Sequence, residues 1–384
     1  MSNELRKFLS LSYGELEDLN LSAKEQRKNR VAAHKIQEER LKYLTDTKEI
    51  KAVTVLFSDL EGRLHMLDYD KKFLIKSYDN LTFDGSSIRG FTAQRESDLR
   101  LGIDWSAFYW GPSDIFGSGK VLVFGEVIDK QGSPYTADMR GVLKSFAHEL
   151  HEKKGYTLNA ANEIEGFIFA GTDAERRFPE TGRFEYVNTG GYYHSLPGDP
   201  LRTFIDTTAE VQRAMGFENE KDHPEVAPSQ FEINYGYGEV VAAADQIQLY
   251  KLICREVATK MGMTASFLPK PVVGVNGSGM HTNVSISKEG KNIFWDPKGK
   301  SQKNQFQTEI GRMTDQAIEP ASLQSLPDAH GYVCAEGSAQ RNDGYGTNSQ
   351  TEKQNHQGRR PQPTMTPWHV DGEQSVHPLV DPER

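Results

Sequence analysis

At 384 residues the chain has room for two domains with substantial cores. Its 36% hydrophobic and 26% charged content is that of a soluble globular protein, and a net charge of -9 argues against binding nucleic acid by bulk charge. No apolar run approaches a membrane span and MSNELRKFLS lacks a signal-peptide core, so a cytoplasmic place without membrane contact is expected.

In chain order, residues 14–46 are polar and charged, with Leu16, Leu19, Val31, Ile36, Leu41 and Leu44 at helical intervals. The spacing predicts an exposed amphipathic helix from Ser22, its N-cap, to about Tyr43. Ala52–Phe57 reads as a strand, Asp59–Gly62 as a turn and Val121–Val127 as a second strand, making 50–130 a small strand-rich domain. Ala137–Lys154 predicts a helix ended by Gly155. Tyr156–Ala160 is extended and leads into a strand carrying Glu163 and Glu165. A helix from about Pro200 to Gly216, capped by Asp199, and another from about Ala242 to Met261, ended by Gly262, follow. Strands and helices alternate without a tight βαβ rhythm, which predicts an α+β catalytic domain on an antiparallel sheet. After Lys300 the composition turns to Gln, Asn, Ser, Gly, Pro and His, and about 320–384 reads as disordered or loosely attached. Cys254 and Cys334 are not spaced as a metal clip or redox pair; the first reads as a buried helical thiol.

Four segments carry residue types suited to chemistry. In Glu163-Ile164-Glu165 the carboxylates lie two apart and share a strand face, where they repel unless solvated or bridged by a cation such as Mg²⁺ or Mn²⁺. Glu225 and Glu232 bracket a second strand, Glu232-Ile233-Asn234-Tyr235. The four acids suffice for two metal ions that would clamp a triphosphate. Asn276-Gly277-Ser278-Gly279-Met280-His281 lets backbone approach a ligand closely and offers His281 to a metal or phosphate. Phe83-Asp84-Gly85-Ser86-Ser87 with Arg95–Leu99 reads as a polar loop. Taken singly, each has a bland reading that outweighs the functional one: solvent-facing acids, a glycine turn, an Asx-turn.

Taken together, FDGSSIRGF…ESDLRL, NEIEGFIF, EVAPSQFEINY, Met263–Pro271 and NGSGMH resemble glutamine synthetase of the bacterial class I type, in the family's order and over about 50–300. The resemblance implies an N-terminal helical extension (1–48), a small β-grasp-like domain (49–135), an incomplete catalytic α+β domain (136–305) and an aberrant tail (306–384). It also implies active sites shared between neighbours in a homo-oligomeric ring. Glu165, Glu225 and Glu232 match the family's ligands for one metal, Glu163 and His281 those for a second beside the ATP phosphates. Asn276 and Gly277 match the site for the substrate's α-carboxylate and amino end. Asp84 matches the acid a neighbouring subunit lends to ammonium, and Glu220, Tyr237 and Ser285 match nucleotide contacts. The implied reaction joins glutamate and ammonia at the cost of ATP, through a γ-glutamyl phosphate. Two departures stand out. Asp222-His223-Pro224-Glu225 replaces the usual His-His-Glu, which leaves another amine open as acceptor. The family's later arginines and loop glutamate find no match after about 300, so the last third reads as truncated or frameshifted. An inactive homologue that only binds nucleotide or glutamate, or joins an oligomer, is the alternative.

Overall fold

The computed structural model describes residues 11–117 and 119–293. The tail, with Cys334, lies outside the described residues. The described residues begin with two helices, α1 (Tyr13–Lys28) and α2 (Ala33–Asp46). The single helix expected from Ser22 is corrected on both counts. The true cap is Ser12, whose capping box with Glu15 satisfies two backbone donors. The break comes after Asn29, because Arg30 adopts a left-handed φ of 53° that no helix continues through. The helices are not merely exposed. Leu16, Ala23, Ile36 and Leu44 are buried, and the Arg40 guanidinium lies 5.0 Å over the Trp110 ring. Asn20 is the clamp of this region. Its Nδ2 donates to the carbonyls of Leu16, Trp110 and Ala214 at 2.8–2.9 Å, and its Oδ1 accepts from Trp110 N at 3.1 Å.

The strand-rich domain is a five-stranded sheet. Its members are β1 (Ala52–Ser58), β2 (Leu64–Asp70), β3 (Leu81–Asp84), β4 (Asp98–Tyr109) and β5 (Lys120–Ile128), with short helices α3 (Lys71–Ser77) and α4 (Ser113–Phe116). The order is β2-β1-β5-β4-β3, with β1 and β5 parallel and the other pairs antiparallel. Alternation gives this sheet two apolar faces. Val53, Val55, Phe57, Val121 and Val123 join the core that includes the N-terminal helices, whereas Leu56, Leu122 and Phe124 join the core of the following domain. The polar loop expected at Arg95–Leu99 is corrected in part: Asp98 and Leu99 begin a twelve-residue strand. A register shift between Ile103 and Phe108 breaks its alternation, which hides it from a period-two reading.

The second domain begins with α5 (Met139–Lys154), capped by Asp138 and ended at Gly155, φ 68°. It continues through β6 (Tyr156–Ala170), α6 (Ala174–Thr181), α7 (Pro200–Ala214), β7 (Asn219–Pro224), β8 (Gln230–Tyr235) and β9 (Gly238–Glu239). After these come α8 (Val240–Lys260), β10 (Met263–Ser266), β11 (Met280–Lys288) and β12 (Lys291–Asn292). The sheet runs β12-β11-β6-β8-β7, with β9 and β10 also on β6, and every pairing is antiparallel. The α+β expectation holds: a small domain on a five-stranded sheet precedes a larger domain on an antiparallel sheet. Helices α7 and α8 bury Phe204, Leu249, Tyr250 and Ile253 beneath that sheet, and burial pushes the Cys254 thiol up. Among the described residues no helix is long and apolar enough to cross a membrane.

A buried ion network joins the two domains. Arg140 on α5 grips Asp245 on α8 through two 2.7 Å bonds and reaches Asp104 on β4 at 3.0 Å and Glu126 on β5 at 3.3 Å. Burial alone would raise the Asp104 carboxyl, but Arg140, Lys144 and the Ser106 hydroxyl outweigh it and hold it well below the usual carboxylate range.

Candidate metal and nucleotide face

Strand register assembles the site. Residues paired across an antiparallel ladder point to the same face, as do residues two apart on one strand. His281 on β11 pairs with Glu163 on β6, Glu165 on β6 pairs with Glu232 on β8, and Glu232 pairs with His223 on β7. Because Glu163 and Glu165 alternate with core-facing Ile164, all five side chains project from one face of the sheet. Glu225 follows just beyond β7, its N–H donating to Gln230 O at 2.8 Å. Pro224 fits there because β7 is the edge strand, where a missing N–H costs no ladder bond.

The donors converge most closely at His223, Glu225 and Glu232, whose ligand atoms all lie within 4.8 Å of one another. His223 Nδ1 is 3.6 Å from Glu225 and Nε2 is 3.8 Å from Glu232. That Nε2 is buried and has no hydrogen-bond partner among the described residues. Glu165 stands beside the group. Its Oε2 accepts from Gln230 Nε2 at 2.8 Å and from Gly279 N at 3.0 Å. Burial, followed by the neighbouring acids, pushes Glu165 up to about 7 and Glu225 up to about 8. Among the described residues no lysine or arginine forms an ion pair with these acids. Four carboxylates and two imidazoles, one with an orphaned ring nitrogen, and no lysine or arginine ion-paired to the acids among the described residues make a donor set that fits hard divalent cations.

Two glycines shape the approach. A Cβ on Gly279 would lie 3.1 Å from Glu165 Oε1 and 3.2 Å from His281 Nε2, so the absence of a side chain keeps the space between those donors open. A Cβ on Gly277 would meet Pro269 O at 2.4 Å, which fixes the Asn276-Gly277 turn against that carbonyl. The Gly277 carbonyl accepts from the same Gln230 amide that holds Glu165, at 2.8 Å.

The remaining expected residues spread outward. Ser285 lies on β11 opposite Asn159, on the His281 side of the strand and four residues along. Glu220 lies at a bulge of β7, its Oε1 3.5 Å from where a Cβ on Gly236 would stand, and next in sequence is the 65% exposed Tyr237. Asp84 is not brought to this face. It ends β3 at the edge of the grasp sheet, where Ser86 N and Oγ donate to its Oδ1 at 2.8 and 2.6 Å, and these bonds hold its carboxyl below the usual range.

His223 is absent from the ligand set that the sequence suggests, although its two-residue spacing from Glu225 repeats the Glu163/Glu165 pattern. Equally unannounced are Gln230, Asn283, whose Nδ2 donates to Glu163 Oε1 at 3.2 Å, and the Tyr192 and Tyr193 rings edge-on to His223. These depend on contacts between distant segments and left no local pattern.

Fold and face together define an α+β protein whose catalytic-type sheet presents carboxylates and imidazoles suited to divalent cations. Residues 136–317 match the glutamine synthetase catalytic domain and residues 49–130 the glutamine synthetase beta-Grasp domain. A glutamine synthetase of Methanosarcina mazei is 39% identical over 258 residues, 65% of this chain and 55% of that one. A glutamine synthetase of Clostridium saccharobutylicum is 37% identical over 257 residues, 66% and 56% of the two chains. The fold is similar to that of Plasmodium falciparum glutamine synthetase seen by cryo-electron microscopy, with a TM-score of 0.58 at 22% identity, over 67% of this chain and 55% of that one. The chain belongs to the glutamine synthetase family, and it spans about half the length of the curated relatives it matches.

Proposed function

We propose that the chain is a glutamate–ammonia ligase, using ATP to make glutamine through a γ-glutamyl phosphate. The observation that carries this reading is the shared sheet face of His281, Glu163, Glu165, Glu232 and His223. Glu165, Glu225 and Glu232, joined by His223, would hold one Mg²⁺ or Mn²⁺, and Glu163 with His281 a second. Bound there, the ions would screen the repulsion between the triphosphate and the substrate carboxylate.

The chain's own residues supply the rest. A free carboxylate is a poor electrophile at neutral pH, and phosphorylation gives it a leaving group. Asn276 and Gly277 would hold the glutamate backbone end, which positions its γ-carboxylate toward the acids. Glu220, Tyr237 and Ser285 would contact ATP, with the exposed Tyr237 ring free to stack on adenine. Ammonium must lose a proton before it attacks. The role proposed for Asp84, to bind ammonium and take its proton, calls for a second copy of the chain, because within one chain it ends β3 at an edge of the grasp sheet, apart from the ladders that carry the acids. A homo-oligomer is therefore part of the proposal.

A phosphate-release assay on the purified chain with glutamate, ATP, Mg²⁺ and ammonium tests the reading. Release that requires both glutamate and ammonium supports it. Release with glutamate and a larger amine, but not ammonium, would assign a glutamate–amine ligase instead. No release, with ATP still bound by calorimetry, would sink the catalytic reading and leave a nucleotide-binding homologue.

A further inference from the structure

Helix α1 lies along the segment that carries Glu220 and Tyr237, and one of its faces grips that segment at successive points. Asn20, Lys24 and Arg27 fall four and three residues apart, the spacing of a single helical face. Asn20 Nδ2 donates to Ala214 O at 2.9 Å, and Gly216, φ 77°, passes so close that a Cβ there would stand 2.9 Å from Asn20 Cβ. One turn on, Lys24 Nζ pairs with Glu218 Oε2 at 2.5 Å. Burial raises the Glu239 carboxyl, and the charges of Arg27 and Arg30 at the end of the helix partly offset that rise. Glu218 is tied in turn to the residues around it. Its carbonyl accepts from Gly236 N at 2.8 Å, next to Tyr237. A Cβ on Gly236 would stand 3.5 Å from Glu220 Oε1 and 3.8 Å from Glu218 Cβ, so both acids flank this one turn. Glu220 lies where the β7–β8 register shifts between Asn219 and Lys221. Such a bulge leaves a residue outside the ladder and re-aims its side chain. Strand β7 is at the sheet edge and bonds only to β8, so the aim of Glu220 depends on what holds the bulge from outside. Lys24 does so through Glu218, and helix α7 through Gln212 Oε1, which accepts from Asn219 Nδ2 at 3.1 Å.

Resting on the nucleotide contacts proposed above for Glu220 and Tyr237, we propose that Lys24 is a positioning residue for ATP. Its ion pair with Glu218 sets the β7 bulge and the Gly236 turn, and with them the two side chains that would meet the nucleotide. Lys24 acts through Glu218 and not on the nucleotide itself. The Glu218 side chain is 63% exposed, and an ion pair so open to solvent adds little to folding stability. Its effect is on the geometry of the nucleotide end of the sheet, away from the face that gathers the acids.

The test is calorimetric titration of the full chain with Mg-ADP, with Mn²⁺ alone as the control for the acidic face. Lys24→Met is expected to bind Mg-ADP about fivefold more weakly, the scale on which a residue without ligand contact acts. Glu218→Gln should give the same loss, and the two changes together little more, because they break one interaction. Lys24→Arg keeps the ion pair and should restore the affinity. Mn²⁺ affinity and the unfolding temperature should stay at wild-type values in Lys24→Met, whereas a merely structural role would lower all three together. The proposal is overturned by undiminished Mg-ADP binding in Lys24→Met, or by a loss matched in Mn²⁺ affinity and unfolding temperature. A wild-type chain that binds no Mg-ADP would sink the nucleotide reading along with it; wild-type binding that Lys24→Met equals would sink this inference alone.

Discussion

Glu165 and Glu232 stand directly opposite each other across the β6–β8 ladder, two acids sharing one sheet position. Like charges so placed oppose pairing, and among the described residues no basic side chain forms an ion pair with either acid except the imidazole of His223. The arrangement makes physical sense as a cation site. Gln230 is the group that aims it, since one amide holds both Glu165 and the Gly277 carbonyl. Gln230→Ala is expected to lower Mn²⁺ affinity by about 10–100-fold, the usual effect of removing a residue that orients a ligand. Titration calorimetry with Mn²⁺ measures it; unchanged affinity would remove Gln230 from the site.

Gly279→Ala separates site geometry from folding. The new methyl would press on Glu165 Oε1 and His281 Nε2 at 3.1 and 3.2 Å, both side-chain atoms that can move aside. The fold should survive, with an unfolding temperature close to wild type when metal is absent, while Mn²⁺ binding weakens. A variant that binds Mn²⁺ as well as wild type would show that the space between those donors is not used.

Asn20→Ala tests the attachment of the N-terminal helices. It removes a side chain that satisfies the carbonyls of Leu16, Trp110 and Ala214 and the Trp110 N–H, all buried. A destabilisation of about 3 kcal/mol is expected in denaturant unfolding. A loss below about 0.5 kcal/mol, the size of an ordinary surface change, would mean that water replaces the clamp.

The seam between the domains should fail first in acid. Asp104 is held below the usual carboxylate range, so its contribution is complete above the unfolded-state value near 4 and is lost as pH falls toward its folded value. Asp104→Asn should therefore lower stability at pH 7 and flatten its decline between about pH 5 and pH 2. Unfolding midpoints across that range would show parallel curves for the two proteins if the carboxylate were not responsible. Arg140→Met, which leaves Asp245 and Asp104 buried without their shared guanidinium, should cost about 3–5 kcal/mol.

What could be read from the sequence follows from where each signal is local. Asp199 before Pro200, Gly155 after Lys154 and Gly262 after Met261 mark helix ends by chemistry within two residues, and those helices were placed closely. The acids on β6 were legible because a two-residue spacing needs only an extended backbone. Strand β4 was lost because its register shift interrupts alternation, and the division between α1 and α2 because it rests on one left-handed residue, Arg30. His223 has a local hint in its two-residue spacing from Glu225, but its place opposite Glu232 depends on β7 pairing with β8, a fact held in contacts between segments.

Strand β6 is the common rail of this sheet, hydrogen-bonded along its fifteen residues to β11, β8, β9 and β10. A one-residue insertion between Asn159 and Glu165 would turn acids inward and core residues outward on part of the rail at once. Change in length is thereby closed to this strand, and evolution can retune the chemistry it carries only by exchanging one side chain for another.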